Sequence, residues 1–330
     1  MKIQDVAFGG KGVARENGKA VFVPFTIDGE RISARIIHEK KNFAEAELIE
    51  LIEPSKNRVT PECPYFGRCG GCSYQHIQYE HQLELKARQV EQTLQRIGRI
   101  TVAPIQPIVP SPLSYGYRNR ITVHSEDGIV GFYRRDEHRL IDVAKCPIAM
   151  PQVNDELAAL RARRPRDGHY TLRVHSGPRI FSQTNDPVAH HLMESVAGSI
   201  SEHGTLLIDA YCGAGFFAKQ LLEKFDRIVG IDWDVHAIRA AMEKATAKED
   251  YLAGNIDELL GEMLRDADPR STTVIVDPPA TGLSVNVRRT LLEFPVATLI
   301  YVSCNPPTLA RDLAELHKEF EVVSVTPLDM

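Results

Sequence analysis

The feature that most restricts the fold is a rhythm in the second half of the chain. Short apolar runs alternate with stretches of helical periodicity. The runs are TLLIDAY (205–211), RIVGID (227–232), a brief one at Tyr251-Leu252, TTVIVD (272–277), TLIYVS (298–303) and EVVSVT (321–326). The helical stretches include AIRAAMEKATAK (237–248) and TLARDLAEL (308–316). Strand, helix and strand repeated in this way specify a doubly wound parallel sheet, so residues 181–330 are expected to form an α/β domain.

The first half reads differently. Residues 1–54 carry period-two runs such as KAVFVPF (19–25) and ISARIIHEK (32–40), split by Ile27-Asp28-Gly29. Runs of that size predict a small antiparallel barrel. Residues 55–180 hold four of the six cysteines, a helix at about 78–97 and more short strands. The Pro-rich stretch 104–112 reads as a connector. Three domains, 1–54, 55–180 and 181–330, are expected, and 330 residues suffice for them.

No apolar run reaches the ~18–20 residues needed to cross a bilayer, and the first residues lack a secretory apolar stretch. A cytoplasmic protein without membrane attachment is the expectation, with a monomer as the default. Net charge is −5, but it is unevenly spread: residues 1–180 carry 27 Lys+Arg against 21 Asp+Glu, and residues 181–330 carry 12 against 23. A nucleic-acid partner would therefore lie mainly on the first half. A surplus of six cations is equally compatible with ordinary solvated surface.

After TLLIDAY comes Cys212-Gly213-Ala214-Gly215, and a helix is expected to follow. A glycine turn between strand and helix lets the backbone approach a ligand closely, which marks Gly213 and Gly215. Asp232 ends the next strand, 19 positions past Gly213, where a carboxylate can take two ribose hydroxyls. That pattern serves a nicotinamide cofactor nearly as well as S-adenosyl-L-methionine. Asp209 ahead of the glycines, and Asp277-Pro278-Pro279 at the carboxyl end of the fourth strand, favour a methyl donor and a planar base. Cys304, in Ser303-Cys304-Asn305-Pro306-Pro307, sits at a strand end just before a helix. The positive helix end favours thiolate, the attacking species in covalent catalysis. Thiolate addition at carbon 6 of uracil makes carbon 5 reactive toward an electrophilic methyl. Cys212, inside the turn, reads as packing volume.

Cys63, Cys69 and Cys72 follow a C-x5-C-x2-C spacing, and Cys146 is a possible fourth thiolate. In a reducing compartment clustered thiols bind a metal more readily than they pair as disulfides. Softness suits zinc and an iron–sulfur cluster alike, and the lone CxxC leans toward iron–sulfur.

Together these motifs resemble the RNA 5-methyluridine methyltransferases that carry a TRAM domain and a 4Fe-4S cluster. GGKGVAR (9–15) and AVFVPF (20–25) look like the TRAM barrel, an RNA-binding module. CPYFGRCGGC (63–72) with Cys146 looks like the cluster motif. FSQTN (181–185), DAYCGAG (209–215), GID (230–232), DPP (277–279) and SCNPPTLARD (303–312) look like the catalytic domain. The resemblance implies that Gln183, Tyr211, Asp232, Asn255 and Asp277 contact cofactor or base, with Gln183 and Asp277 near the uracil. It makes Cys304 the nucleophile and Cys63, Cys69, Cys72 and Cys146 the cluster ligands. Tyr117, Arg118 and Arg120 fall in a segment resembling the family's central sheet. Ribosomal RNA is implied ahead of the T-loop of transfer RNA.

Three departures stand out. Ala280 follows Asp-Pro-Pro where the family usually has Arg, and Phe216 follows the glycine turn where Asn is frequent. The family continues past the segment matching PLDM (327–330) with a stretch whose glutamate removes the carbon 5 proton. On that reading this chain is expected to form a covalent adduct but turn over slowly, and TLIYVS to keep an unpaired edge. Two other functions compete: an RNA-binding iron–sulfur protein with impaired catalysis, and an amino-group methyltransferase using Asp-Pro-Pro. The latter usually stacks its base on an aromatic residue, which Ala280 is not.

Overall fold

The computed structural model describes residues 1–330 except 102–103, 136, 175–182 and 201. It divides into two compact units. One comprises residues 1–89, 111–175 and 184–186, and the other residues 90–110, 176–183 and 187–330.

In the first unit, β1 (Asp5–Val6), β2 (Lys11–Glu16), β3 (Lys19–Pro24), β4 (Arg31–Glu39) and β5 (Phe43–Glu53) form one sheet in the order β1-β2-β3-β5-β4. Alternation along β2 and β3 turns Ala14, Val21 and Val23 inward against Ile3, Ile32, Ala44 and Ala46. Backbone hydrogen bonds join Met1 to Ile32 and Ile3 to Glu30, bringing the sheet's two margins together at that end. The wholly antiparallel arrangement expected is corrected at one pair, because β3 and β5 run parallel. The turn through Phe25 and Gly29, both at positive φ, carries the chain across, and β5 then lies between β3 and β4.

Helix α1 (Tyr79–Arg96) matches the predicted helix and begins in this unit, where His81, Leu85 and Gln89 make a buried i, i+4, i+8 stripe. An antiparallel sheet follows, in the order β8-β7-β6-β9, from β6 (Arg120–Glu126), β7 (Ile129–Tyr133), β8 (Leu140–Asp142) and β9 (Gly168–Arg173). Helix α2 (Pro151–Ala162) packs Val153, Leu157 and Leu160 onto Ile121, Val123 and Leu172 of that sheet.

The second unit is built on five parallel strands: β10 (Gly204–Ala210), β11 (Phe225–Asp232), β12 (Glu249–Ala253), β13 (Thr272–Val276) and β14 (Thr298–Tyr301). Their order is β12-β11-β10-β13-β14. The helices are α3 (Asp186–Gly198), α4 (Val235–Met242), α5 (Ile256–Arg265), α6 (Val285–Glu293) and α7 (Pro306–Leu316). Leu207, Ile228 and Ile275 face one core with α3 and α4, while Ile208, Val229 and Val274 face the other with α5 and α6. Burial on both faces explains why these strands read as unbroken apolar runs.

Two expectations are corrected here. The helix expected after the glycine turn is a pair of 3-10 turns, Ala218–Gln220 and Leu222–Lys224. The left-handed turn runs to Gly215, and residues 216–224 between it and β11 form only these short turns. Residues 321–326 do not join the sheet. Val325 instead bridges Ile105 and Leu328 bridges Val109, and Val322 and Val325 pack with Leu94, Ile100 and Ala310. β14 is hydrogen-bonded on one side, to β13.

Candidate active site

The carboxyl ends of the five parallel strands share one edge. Along it, in strand order, stand Asn255 after β12, Asp232 at the end of β11, Gly213 and Gly215 after β10, Asp277 after β13 and Cys304 after β14. The order reverses beside β10, with β11 on one side and β13 on the other. Open parallel sheets bind ligands at such a switch point.

The turn after β10 passes through left-handed backbone at Tyr211, Gly213 and Gly215 (φ 67°, 53° and 80°). Backbone bonds from Tyr211 and Cys212 to the Ile231 carbonyl (2.9 and 3.1 Å) hold it there. The two glycines differ. A Cβ on Gly213 would meet open space, whereas one on Gly215 would lie 2.5 Å from the Tyr251 hydroxyl. Gly213 therefore leaves room for a ligand, and Gly215 leaves room for Tyr251. Asp232 is locked in place: its Oδ2 accepts from Gly213 N and its Oδ1 from Asp234 N, both at 2.8 Å. A carboxylate oxygen has a second lone pair, so both can still accept from hydroxyls. These features fit an adenosine cofactor. Asn255 is exposed and caps α5, accepting from Asp257 N.

Asp209 lies beneath the turn and is fully buried. Oδ2 accepts from Ala218 N (3.1 Å), while Oδ1 is buried without a partner. Burial pushes this carboxyl up to about 8. Burial likewise raises the thiol of Cys212, with the neighbouring Asp209 and Asp232 adding to it. Asp277 is pushed up to about 6 by burial, and Gln183 Nε2 lies 3.5 Å from its Oδ2. Gln183 thus lies beside Asp277, while Phe181 and Ser182 of the same motif lie outside the described residues.

Cys304 is exposed at the rim. Ser303 Oγ accepts from Asn305 N (3.1 Å) and shapes its loop. Asn305 caps α7 without a side-chain bond to it. Its Nδ2 donates instead to the Ala280 carbonyl (2.9 Å), which also accepts from Thr308 Oγ1 (3.1 Å). The loop bearing Asp277 and the loop bearing Cys304 are thereby tied together.

Sequence reasoning missed the network that braces this tie. Asp312 is fully buried and accepts from Leu283 N, the Tyr301 hydroxyl, Arg288 and Arg311 at 2.8–3.1 Å. Arg311 also donates to the Thr281 carbonyl (2.9 Å). Gly282, at φ 76°, leaves space where a Cβ would sit 2.5 Å from Asp312 Oδ2. The available signal was the Arg-Asp pair in TLARDLAEL, charges on a helix that otherwise buries its face. A cavity of about 480 Å³ opens beside this network, lined by Tyr211, Pro279, Leu283, Ser284, Arg288 and Arg311 among others.

In the first unit, Cys63, Cys69, Cys72 and Cys146 are half-buried and unpaired by disulfides. Burial raises Cys69, Cys72 and Cys146, the last to about 11. Neighbouring cysteines add to each shift: Cys63 for Cys69, Cys69 and Cys63 for Cys72, and Cys72 and Cys63 for Cys146. Cys63 and Cys72 are thus within Coulombic reach of each other and of both Cys69 and Cys146. Among the described residues, no three His, Cys, Asp or Glu side chains converge as metal ligands, so the expected ligand set is not assembled as it stands. No helix among the described residues is long and apolar enough to cross a membrane.

Comparison with known proteins agrees with this architecture. Residues 255–330 match a family model described as tRNA (Uracil-5-)-methyltransferase, and residues 1–49 match the TRAM domain. An uncharacterized RNA methyltransferase of Bdellovibrio bacteriovorus is 32% identical over 335 residues, covering 95% of this chain and 84% of that protein. One of Protochlamydia amoebophila is 29% identical over 407 residues, covering 100% and 93%. The fold is shared with Pyrococcus abyssi tRNA (uracil-54, C5)-methyltransferase, solved with S-adenosyl-L-homocysteine. That likeness has a TM-score of 0.74 at 22% identity over 100% of this chain and 96% of the other. With the edge-on array of glycine turn, Asp277 and Cys304, these matches lead to one conclusion: the chain belongs to the RNA uracil-5 methyltransferase family, S-adenosylmethionine-dependent enzymes, and carries the family's TRAM domain.

Proposed function

We propose that this chain methylates carbon 5 of a uridine in structured RNA through a covalent bond between Cys304 Sγ and carbon 6 of the base. The observation that carries the reading is the exposed Cys304 on a loop tied to the Asp277 loop through the Ala280 carbonyl. The Cys304 thiolate adds to carbon 6 and pushes an electron pair toward carbon 5 and O4. S-adenosylmethionine supplies the electrophilic methyl that carbon 5 takes. Transfer of the carbon 5 proton to a base then returns its electron pair to the ring, restoring the C5–C6 double bond and expelling the thiolate. Asp277 accepts the N3–H of uracil, and Gln183 donates to a ring carbonyl. Tyr211, Gly213, Asp232 and Asn255 hold the cofactor, and Gly215 shapes the turn from below.

Residues 1–54 and 55–180 engage RNA in this reading, and 181–330 perform the chemistry. Ribosomal RNA is the proposed target, on the combination of TRAM segment and cysteine cluster. A transfer RNA uridine is the second reading, favoured by the description of the family model over 255–330. Cys63, Cys69, Cys72 and Cys146 are the residues that would hold a 4Fe-4S cluster, which four thiolates suit by softness. Iron and sulfide content of anaerobically purified protein, lost on Cys146→Ser, tests that assignment.

The deciding experiment is incubation with 5-fluorouridine RNA and S-adenosylmethionine. Fluorine cannot leave carbon 5 as a proton does, so the adduct persists. A denaturant-resistant protein–RNA complex is expected, absent in Cys304→Ala. RNA binding without any adduct would support a binding protein instead, and methylation surviving Cys304→Ala would support amino-group chemistry.

A further inference from the structure

Residues 1–54 carry 8 Lys+Arg against 9 Asp+Glu, whereas residues 55–180 carry 19 against 12. The cationic surplus of the first half therefore lies outside the small N-terminal sheet. On that sheet four cations are matched by glutamates: Lys11–Glu45, Lys19–Glu39, Arg31–Glu53 and Arg35–Glu47, at 2.6–2.7 Å. The densest run of cations in the chain is Arg161-Ala162-Arg163-Arg164-Pro165-Arg166, which closes α2 and leads to β9.

The fold accounts for two of these four arginines. Arg161 pairs with both oxygens of Asp142. Arg163 caps α2, and its Nε donates to the Ala159 carbonyl (3.2 Å), a cation where a helix end favours one. Arg164 and Arg166 are exposed, and among the described residues their side chains form no ion pair or hydrogen bond. Arg164 also suits its backbone poorly. It follows the helix cap at φ 47°, the left-handed position that helices most often give to glycine. The loop is held all the same. Ser125 Oγ donates to the Pro165 carbonyl (3.3 Å), the Tyr170 hydroxyl to the Arg166 carbonyl (2.8 Å), and Asp127 N to Asp167 Oδ1 (3.1 Å). The main chain is fixed on the sheet while two guanidinium groups stand in solvent.

We propose that the loop 163–167 is an anchor for the RNA backbone, with Arg164 and Arg166 each taking a phosphate. This rests on the reading that residues 55–180 engage RNA. Guanidinium groups match phosphate oxygens in geometry as well as charge. The loop holds no aromatic side chain on which a base could stack, and its one acid, Asp167, is turned to Asp127 N. It therefore fits phosphate rather than base, and adds affinity and orientation without reading sequence. A loop ordered in advance loses little freedom on binding.

The test uses the full chain and a fluorescein-labelled RNA hairpin with a uridine in its loop. Anisotropy gives Kd across a salt series for wild type and for Arg164→Gly/Arg166→Ala. Each phosphate contact adds about 0.7–0.9 to the slope of log affinity against log salt, so the double variant should lose about 1.4–1.8 of it. The wild-type advantage should then shrink about seven- to twelvefold between about 50 and 200 mM salt. Arg164→Lys/Arg166→Lys should keep most of the affinity and of the slope. The double variant should unfold at no lower urea concentration than wild type, because glycine suits the left-handed position. Its adduct yield with 5-fluorouridine RNA at saturation should be unchanged. Equal Kd and slope in wild type and double variant would overturn the anchor and leave the uridine reading standing. A weakened Kd with an unchanged slope would also overturn it, since lost phosphate contacts must move the slope. A wild type that forms no adduct, with binding still weakened and its slope reduced in the double variant, would sink the uridine reading and keep the anchor.

Discussion

Asp209 offers a test that needs no substrate. Its carboxyl is fully buried, with one oxygen bonded to Ala218 N and the other without a partner. Burial moves it from 3.8 to about 8. In the unfolded chain it ionises near 3.8, so the folded state keeps a proton that the unfolded state releases. Stability therefore falls as pH rises from about 4 to about 8. Asp209→Asn cannot ionise and keeps an oxygen for Ala218 N. Its unpartnered amide costs something, but the same amount at every pH. The stability difference between variant and wild type is expected to move in the variant's favour by about 3 kcal/mol between pH 5 and pH 7, from two pH units at ~1.4 kcal/mol each. Urea unfolding of both proteins at both pH values measures it. Parallel pH profiles would show that Asp209 does not hold its proton in the folded state.

Three further outcomes are expected. Asp277, pushed to about 6, must be ionised to accept from N3–H, so the methylation rate should rise about tenfold between pH 5 and pH 7. Asp277→Asn should be slow and flat over that range, and a flat wild-type profile would remove the role assigned to the carboxylate. Asn305→Ala deletes one bond to the Ala280 carbonyl, so it should cost about 1 kcal/mol in urea unfolding and slow adduct formation with 5-fluorouridine RNA. An unchanged adduct rate would mean the tie does not position Cys304. Asp312→Ala removes the buried carboxylate that Leu283 N, Tyr301, Arg288 and Arg311 share, while Arg288 keeps Glu315 and the Leu283 carbonyl, and should destabilise by about 3 kcal/mol; a change under about 1 kcal/mol, the range of exposed pairs, would refute the bracing role.

The sheet was legible because its strands are buried on both faces, and doubly buried strands leave apolar runs such as TTVIVD. Cys304 and Asp277 were legible because each sits one to three residues past such a run. What did not show was whatever depends on space rather than pattern. The stretch 216–224 reads as helical, yet it forms two 3-10 turns packed under the strand ends. EVVSVT has the residues of a strand, yet it pairs through Val325 with Ile105, a partner no local pattern names. The Asp312 network was hidden for the same reason, since its members come from β14, α6, α7 and the loop at 281–283 and meet only in three dimensions.

Asn305 and Thr308 grip position 280 by its main-chain oxygen, so the grip is blind to whichever side chain stands there. A change of side chain there leaves it intact. The chemistry offered at position 280 and the placement of the Cys304 loop are thus separately mutable.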